Sequence, residues 1–480
     1  MEIIKNFIKG EYVAPQSERY MDSFNPATGQ VAVQIPDSQE VDVVMAVKAA
    51  KEAFPGWSQT SMWERAQILN RISDLLEKRA EEFAQIESED VGKPLWLARE
   101  VDIPRTIANF RFFASKILTR EERCSEMDQV AINYTLRQPV GVCGLIAPWN
   151  LPLYLMTWKL APCLAMGNTA VCKPSELTSR STALLGEVLN EAGLPPGVCN
   201  IVMGRGETAG AALVQHPSVP VISFTGGTQT GAHIQQMAAP FFKKVSLELG
   251  GKNANIVFKD ADMEKALEGT LRAGFLNSGQ ICLCGSRLLV QQDIYEEFVG
   301  RLKERVQALK VGDPKEEDTF LGPVVSQEHQ SKILSCIKKA QEDGGKVTVG
   351  GGKVQNLKED LKGGYFVEPT VIEDLSFCSD IWQTEIFGPV ITVAPFKYQK
   401  DAVKLANTSS YGLSASLWTK DIQRAHRVAR ELEAGTVWIN TWMKRDLRVP
   451  FGGMKDSGVG REGGEYSLDI YSELKNVCVS

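Results

Sequence analysis

Five short apolar runs constrain the fold more than any other feature of the chain. Val140–Ala147, Thr169–Cys172, Val198–Val202, Val221–Phe224 and Val245–Leu247 are separated by helical patterns and by Gly/Pro turns such as Gly193–Gly197. Strands alternating with helical stretches predict a parallel sheet covered by helices. Ligands of such sheets sit beyond the carboxyl ends of the strands. After Gly250 the rhythm restarts: ANIVF, a helical stretch Ala266–Phe275, LLVQQ and a helix over Ile294–Leu309. That restart predicts a second α/β domain, as the length of 480 residues allows.

The flanking segments read as scaffold. Residues 1–36 predict short strands with turns. Asp37 and Glu40 form a capping-box pattern before a helix that Pro55-Gly56 is expected to stop, and Ser61 with Glu64 repeats the pattern. The second helix carries Ile68, Leu69, Ile72, Leu75 and Leu76 on one face. Val130, Ile132, Tyr134 and Leu136 alternate as in a strand, and ELKNVCVS predicts a final one.

Charge excludes two classes of partner. A net charge of −6 offers no basic field for nucleic acid or an anionic membrane. No run approaches the roughly 20 apolar residues of a membrane span. The first residues, MEIIKNFIKGEYV, lack the continuous apolar core of a signal peptide. The cysteines show no disulfide-scaffold spacing, so a reducing, cytoplasmic setting is expected. The four histidines have no cysteine pair nearby, and the Cys282/Cys284 pair lacks partner ligands, so no metal site is expected.

Three stretches carry chemistry. In FLNSGQICLCGSR, Phe275–Arg287, Cys282 follows an Asn-x-Gly-Gln turn. Most lone cysteines are small buried hydrophobes. A cysteine on such a turn, however, keeps its own N–H free for an oxyanion. LELGGKN places Glu248 before Gly250 and Gly251, and IAPWNLP ends a strand near Asn150. Together these settings resemble the aldehyde dehydrogenase superfamily, and the resemblance spans nearly the whole chain. It implies a Rossmann-like NAD-binding domain (1–118 and 140–250), an α/β catalytic domain (251–447) and a small β oligomerisation arm (119–139 and 463–480). The arm would pack on a neighbouring subunit in a homodimer or homotetramer, which hides an otherwise aggregation-prone strand pair.

Two glycine turns follow strands, Gly204–Gly210 and Phe224–Gly231, and neither is the G-x-G-x-x-G fingerprint. The second precedes a helical pattern, whose N-terminal N–H groups suit a pyrophosphate. It resembles the superfamily's G-x-T-x-x-G turn through Gly226, Thr228 and Gly231, with Gly227 where serine is usual. One hydroxyl contact is thereby lost while backbone contacts remain. Lys173 and Glu176 follow a strand, where they suit the adenosine ribose hydroxyls, and a carboxylate there disfavours a 2′-phosphate. The resemblance adds Ile146, Ala147, Pro148, Trp149, Ser175, Gly206, Gly210, Phe224, Thr225 and Leu249 as cofactor contacts. Glu385 and Phe387 would hold the nicotinamide ribose.

The resemblance also assigns roles. Cys282 adds to the aldehyde, because hydride leaves only from a tetrahedral carbon. The Asn150 amide and the Cys282 N–H receive the oxyanion. Glu248 activates the water that hydrolyses the thioester, so a free acid is the expected product rather than a coenzyme A ester. Cys284 is packing or a second oxidisable thiol. Lys159 and Glu462 serve proton movement or are structural charges.

For substrate, the segment Trp438–Gly464 and ANFRFFA (Ala108–Ala114) are similar to the 2-hydroxymuconic and 2-aminomuconic semialdehyde dehydrogenases. Arg111 and Arg445 are then expected to clamp the carboxylate of a six-carbon semialdehyde beside Trp158, with Arg448 competing for the place of Arg445. A second reading is a long apolar aldehyde of retinal or apocarotenal type, in a tunnel lined by Tyr154, Leu155, Met156 and Trp158. A third, of another class, is an inert NAD-binding structural protein.

Overall fold

The computed structural model describes residues 2–480. The five apolar runs form strands Val142–Ile146, Thr169–Lys173, Cys199–Ile201, Val221–Thr225 and Lys244–Glu248, which pair parallel. The first four are buried at every residue. Strands covered on both faces need no polar alternation, which explains their continuous apolar character.

From Val142–Ile146 the chain moves outward through Thr169–Lys173 to Cys199–Ile201. It then returns to the other side of Val142–Ile146 with Val221–Thr225 and Lys244–Glu248. Strand order therefore reverses beside Val142–Ile146, and a crevice opens at such a reversal. The hairpin Asn6–Ile8/Glu11–Val13 extends one edge. The short strand Gly458–Val459 closes the other edge, antiparallel to Lys244–Glu248, so the distant segment before Glu462 lies beside Glu248.

A second sheet of seven strands is parallel except at the edge strand Lys346–Val349. Its centre is Arg287–Gln291, between Ala254–Val257 and Val390–Phe396. A third sheet pairs Ala131–Pro139 with both Cys124–Met127 and Ser472–Val479.

Helix Met62–Lys78 begins at the expected box: Ser61 accepts from Glu64 N–H, and the Glu64 carboxylate accepts from Ser61 N–H. The preceding helix departs from expectation. Its box is Gln39 with Asp42, and it runs over Glu40–Gln59 with Pro55 inside it. A helical proline forfeits one hydrogen bond, but Trp57 in the last turn is only 2% exposed. Burial of that indole outweighs the break. Helix Pro152–Ala165 is buried at all its residues and packs against helix Ile103–Leu118. Among the described residues no helix is long and apolar enough to cross a membrane.

Candidate active site

The crevice at the strand reversal is a cavity of about 830 Å³. Its walls include Ile146, Ala147, Pro148 and Trp149 from one strand end and Phe224, Thr225, Gly226 and Gly227 from the neighbouring one. Lys173, Ser175, Glu176, Gly206 and Gly210 complete that side. Gly227 precedes helix Thr228–Ala238 without a side-chain cap, leaving first-turn N–H groups free for an anion. A Cβ at Gly227 would meet nothing within 4 Å, so glycine there is not dictated by crowding. At Gly226 a Cβ would stand 2.4 Å from the Phe224 ring. Lys173 Nζ lies 3.0 Å from Glu176 Oε2. Against the upward pull of burial, the Lys173 ammonium holds the Glu176 carboxyl below its ordinary value. An ionised carboxylate at that point is suited to accept from ribose hydroxyls.

A second cavity of about 270 Å³ shares Pro148, Trp149, Thr225, Gly226 and Gly227 with the first. Asn150, Leu155, Leu249, Cys282, Glu385 and Phe387 also line it. The structure thus brings all the expected cofactor contacts to one pair of adjoining cavities. His329 and Lys332 join them from helix Gln327–Glu342 and were not anticipated. The His329 ring meets those of Trp149 and Phe387, and its Nε2 hydrogen-bonds Phe387 O at 2.6 Å. Burial keeps this imidazole neutral, with a pKa down at about 4. Phe387 is held at φ 60°, a strained value for an aromatic residue.

Cys282 is half-buried. Its loop is built from left-handed residues, Asn277 (φ 53°), Ser278 (φ 54°) and Gly279 (φ 72°). Asn253 Nδ2 fastens the loop, donating to Cys282 O at 2.7 Å and Cys284 O at 2.9 Å. Burial, then the Glu385 and Glu248 charges, push the Cys282 thiol up to about 12, against the pull of Arg445. Asn150 Nδ2 donates one N–H to Gln280 O at 2.9 Å, which leaves its second for the cavity. Cys284 is buried among Leu276, Ile281, Leu283 and Trp438, a packing environment.

Glu248 is buried behind this cavity, and neither carboxylate oxygen has a hydrogen-bond partner. Burial and the Glu462 charge raise its pKa well above the ordinary carboxylate value; Lys159, Arg445 and Arg461 oppose them. Lys159 Nζ is 3.0 Å from both Glu462 Oε1 and Ser223 Oγ, a buried ion pair next to the base candidate.

The arginine expectation needs correction at one position. Arg111 is exposed and pairs with Asp74 at 2.9 Å and Glu77 at 3.0 Å on the neighbouring helix. Arg105, six residues earlier on the same helix, takes the place expected of it. Six residues at 3.6 per turn rotate a side chain about 240°, so the two point to different faces. The Arg105 guanidinium lies 5.6 Å from the Tyr154 ring centre and 5.2 Å from that of Trp158. Arg445 lies 5.4 Å from the Trp158 ring centre and 3.7 Å from that of Phe451, and donates to Tyr154 Oη at 2.9 Å. Arg105 Nε and Nη2 are buried without partners. Burial lowers the Arg105 pKa, and the Arg445 charge adds to the effect. Arg448 is turned to solvent and satisfied by Asp446. No sequence pattern marks Arg105; in the fold, Asn109 four residues on is a buried amide that donates to Tyr154 O, so this face of the helix packs on the Tyr154/Trp158 helix.

The model of the aldehyde dehydrogenase family matches residues 12–477 of the chain. A 2-aminomuconic semialdehyde dehydrogenase of Danio rerio is 50% identical, over 99% of this chain and 98% of the relative. A 2-hydroxymuconic semialdehyde dehydrogenase of Pseudomonas sp. (strain CF600) is 48% identical over 100% of both. Among solved structures, the NAD+ complex of an aldehyde dehydrogenase from Bacillus cereus superposes with a TM-score of 0.97 at 41% identity, covering 100% of this chain and 97% of that one.

Proposed function

Because the chain belongs to the aldehyde dehydrogenase family, we propose that it oxidises a 2-amino- or 2-hydroxymuconic 6-semialdehyde to the free acid with NAD. The observation that carries the substrate is the pair of guanidiniums, Arg105 and Arg445, over the Trp158 ring, with Arg105 Nε and Nη2 buried and without a partner among the described residues. Buried, unpaired N–H groups are costly unless a ligand satisfies them. A carboxylate at the far end of the aldehyde does so, and fixes its reacting end.

In this reading residues 1–118 and 140–250 form the cofactor-binding domain, 251–447 the catalytic domain, and 119–139 with 463–480 the arm of a homodimer or homotetramer. The unpaired thiols suit a cytoplasmic setting.

The residues then divide the work. The Cys282 thiol is protonated at rest, so carbon–sulfur bond formation releases its proton to solvent, and Glu248 stays free for the hydrolytic step. The Asn150 amide and the Cys282 N–H hold the oxyanion. NAD, when bound, supplies the hydride acceptor. Lys173 and Glu176 hold its adenosine end, and Glu385 with Phe387 its nicotinamide ribose. Burial raises the Glu385 carboxyl to about 7. Glu248 next takes a proton from the water that attacks the thioester, and Lys159 with Glu462 gives that proton a route away.

A long apolar aldehyde is not favoured, since it leaves the buried Arg105 N–H groups unsatisfied, and Met156 is sealed in the core rather than on a tunnel wall. An inert scaffold is not favoured, since Cys282 and Asn150 face one cavity. Kinetics with 2-hydroxymuconic 6-semialdehyde and hexanal test the substrate. Arg105→Ala should raise KM for the semialdehyde about 10- to 100-fold and leave hexanal nearly unaffected. Arg111→Ala should change neither. Equal effects on both aldehydes would overturn the clamp.

A further inference from the structure

A fully buried charge cluster stands behind the oxyanion asparagine and touches neither cavity. Lys93 is 1% exposed, and Glu87 and Asp102 are sealed. Lys93 Nζ is bound to the Asp102 carboxylate, lies 3.8 Å from Glu87 Oε2 and donates to Asn150 O at 3.1 Å. Each partner belongs to a different part of the site. Asp102 closes a one-turn π-helix, Ala98–Asp102, and leads directly into the helix carrying Arg105. Such turns often mark functional positions. Glu87 Oε1 accepts from Leu153 N–H at 2.9 Å, at the start of the helix carrying Tyr154 and Trp158. Asn277 Nδ2, from the cysteine loop, also donates to Asn150 O, at 3.2 Å.

One ammonium thus joins the elements that present the oxyanion donor, the aromatic floor and Arg105. Buried ion pairs are poor sources of stability, and their retention is better explained by what they fix in place.

We propose that Lys93 and Asp102 are positioning residues: the pair sets the spacing between the Asn150 oxyanion donor and the Arg105 carboxylate clamp, and so the length of aldehyde accepted. The inference rests on the substrate reading above. Lys93 acts on the reacting end through the Asn150 main chain. Asp102 acts on the remote end through its helix. The two are therefore separable by kinetics.

The experiment compares Lys93→Met, Asp102→Asn and Asp102→Glu with wild type on 2-hydroxymuconic 6-semialdehyde and on hexanal, per mole of folded protein, alongside thermal unfolding. Lys93→Met should lower kcat on both aldehydes about 10- to 100-fold, less than the about 10²- to 10³-fold of an oxyanion donor lost outright, since Asn150 remains but is misplaced. Asp102→Asn should raise KM for the semialdehyde about tenfold and leave hexanal within about twofold. Asp102→Glu keeps the pair charged and lengthens one arm. It is the deciding variant if the others do not fold, with the same KM split expected. Unchanged kcat and KM in any folded variant, or equal KM changes on both aldehydes in the Asp102 variants, would overturn the proposal. Failure of wild type to oxidise the semialdehyde with NAD would instead remove the substrate reading, while the Lys93→Met effect on hexanal would still report on Asn150.

Discussion

At the scale of single residues, the site pairs two groups whose charged forms burial disfavours. The Cys282 thiol is pushed up to about 12, and the Glu248 carboxyl stands well above its usual range, in each case chiefly through burial. A general base works only above its own pKa, so the hydrolytic step should speed up with pH beyond the range in which exposed carboxylates titrate, about 4.3. Glu248→Gln removes that base while leaving the nucleophile. The variant should release about one NADH per Cys282 in a burst and then turn over about 10²- to 10⁴-fold more slowly, the usual worth of a positioned base. Stopped-flow absorbance checks it, and an unimpaired steady state would exclude Glu248 as the base. The same carboxyl has a stability consequence. A group held more tightly protonated in the fold than in the unfolded chain contributes stability that is present at low pH and lost as pH rises through its folded pKa. Denaturant unfolding of Glu248→Gln should therefore gain on wild type as pH rises.

At the scale of elements, the cysteine loop is held from outside. Its three consecutive left-handed residues are strained, and a Cβ on Gly279 would stand 2.0 Å from Gly388 O. Asn277 Nδ2 donates to Asn150 O and Ser278 Oγ to Gly322 O, and the end of the loop is held by Asn253, which binds Cys282 O and Cys284 O and accepts from Ser414 N–H at 3.0 Å. Asn253→Ala leaves these buried groups unpaired, at about 1–3 kcal/mol each. The variant should be destabilised, and iodoacetamide should alkylate Cys282 at an altered rate. Unchanged stability and alkylation would show that the loop holds itself. How much was legible follows from the range of the interactions. The parallel strands were readable because burial on two faces writes itself into consecutive residues. Cys282, Glu248 and Asn150 stood out because each lies in a short, distinctive turn or strand end. Asn253 did not, although it sits in LELGGKN, since its partners are 29 to 161 residues away. Arg105 was not legible because ANFRFFA points to Arg111, and which face of helix Ile103–Leu118 meets Trp158 is set by tertiary packing. The extent of helix Glu40–Gln59 was misjudged because Trp57 burial, a tertiary effect, overrides Pro55.

At the scale of the whole molecule, the third sheet is incomplete within one chain. Both outer strands, Cys124–Met127 and Ser472–Val479, present an unpaired edge. Ile132 (51% exposed), Tyr134 (38%) and Leu136 (41%) alternate along the middle strand, with Val479 (55%) opposite Ile132. Open edges and an apolar face on one sheet invite pairing with another chain, and a soluble protein that keeps both must cover them. The sheet is nonetheless fixed to its own subunit: Arg137 binds Asp469 at 2.6 Å, and Asn168 Nδ2 donates to Tyr471 O at 2.7 Å. An open edge presented from a sheet tied to the body of its subunit suits a closed homo-oligomer. Ile132→Lys combined with Leu136→Lys places two ammonium groups on that face without touching either cavity. Sedimentation velocity should show wild type as a dimer or tetramer of the 52.9 kDa chain and the double variant shifted toward monomer. The strand's own backbone pairing does not depend on those side chains, so the variant should still fold and bind NAD. Wild type sedimenting as a monomer, or the double variant keeping the wild-type coefficient, would mean that the sheet serves some other contact.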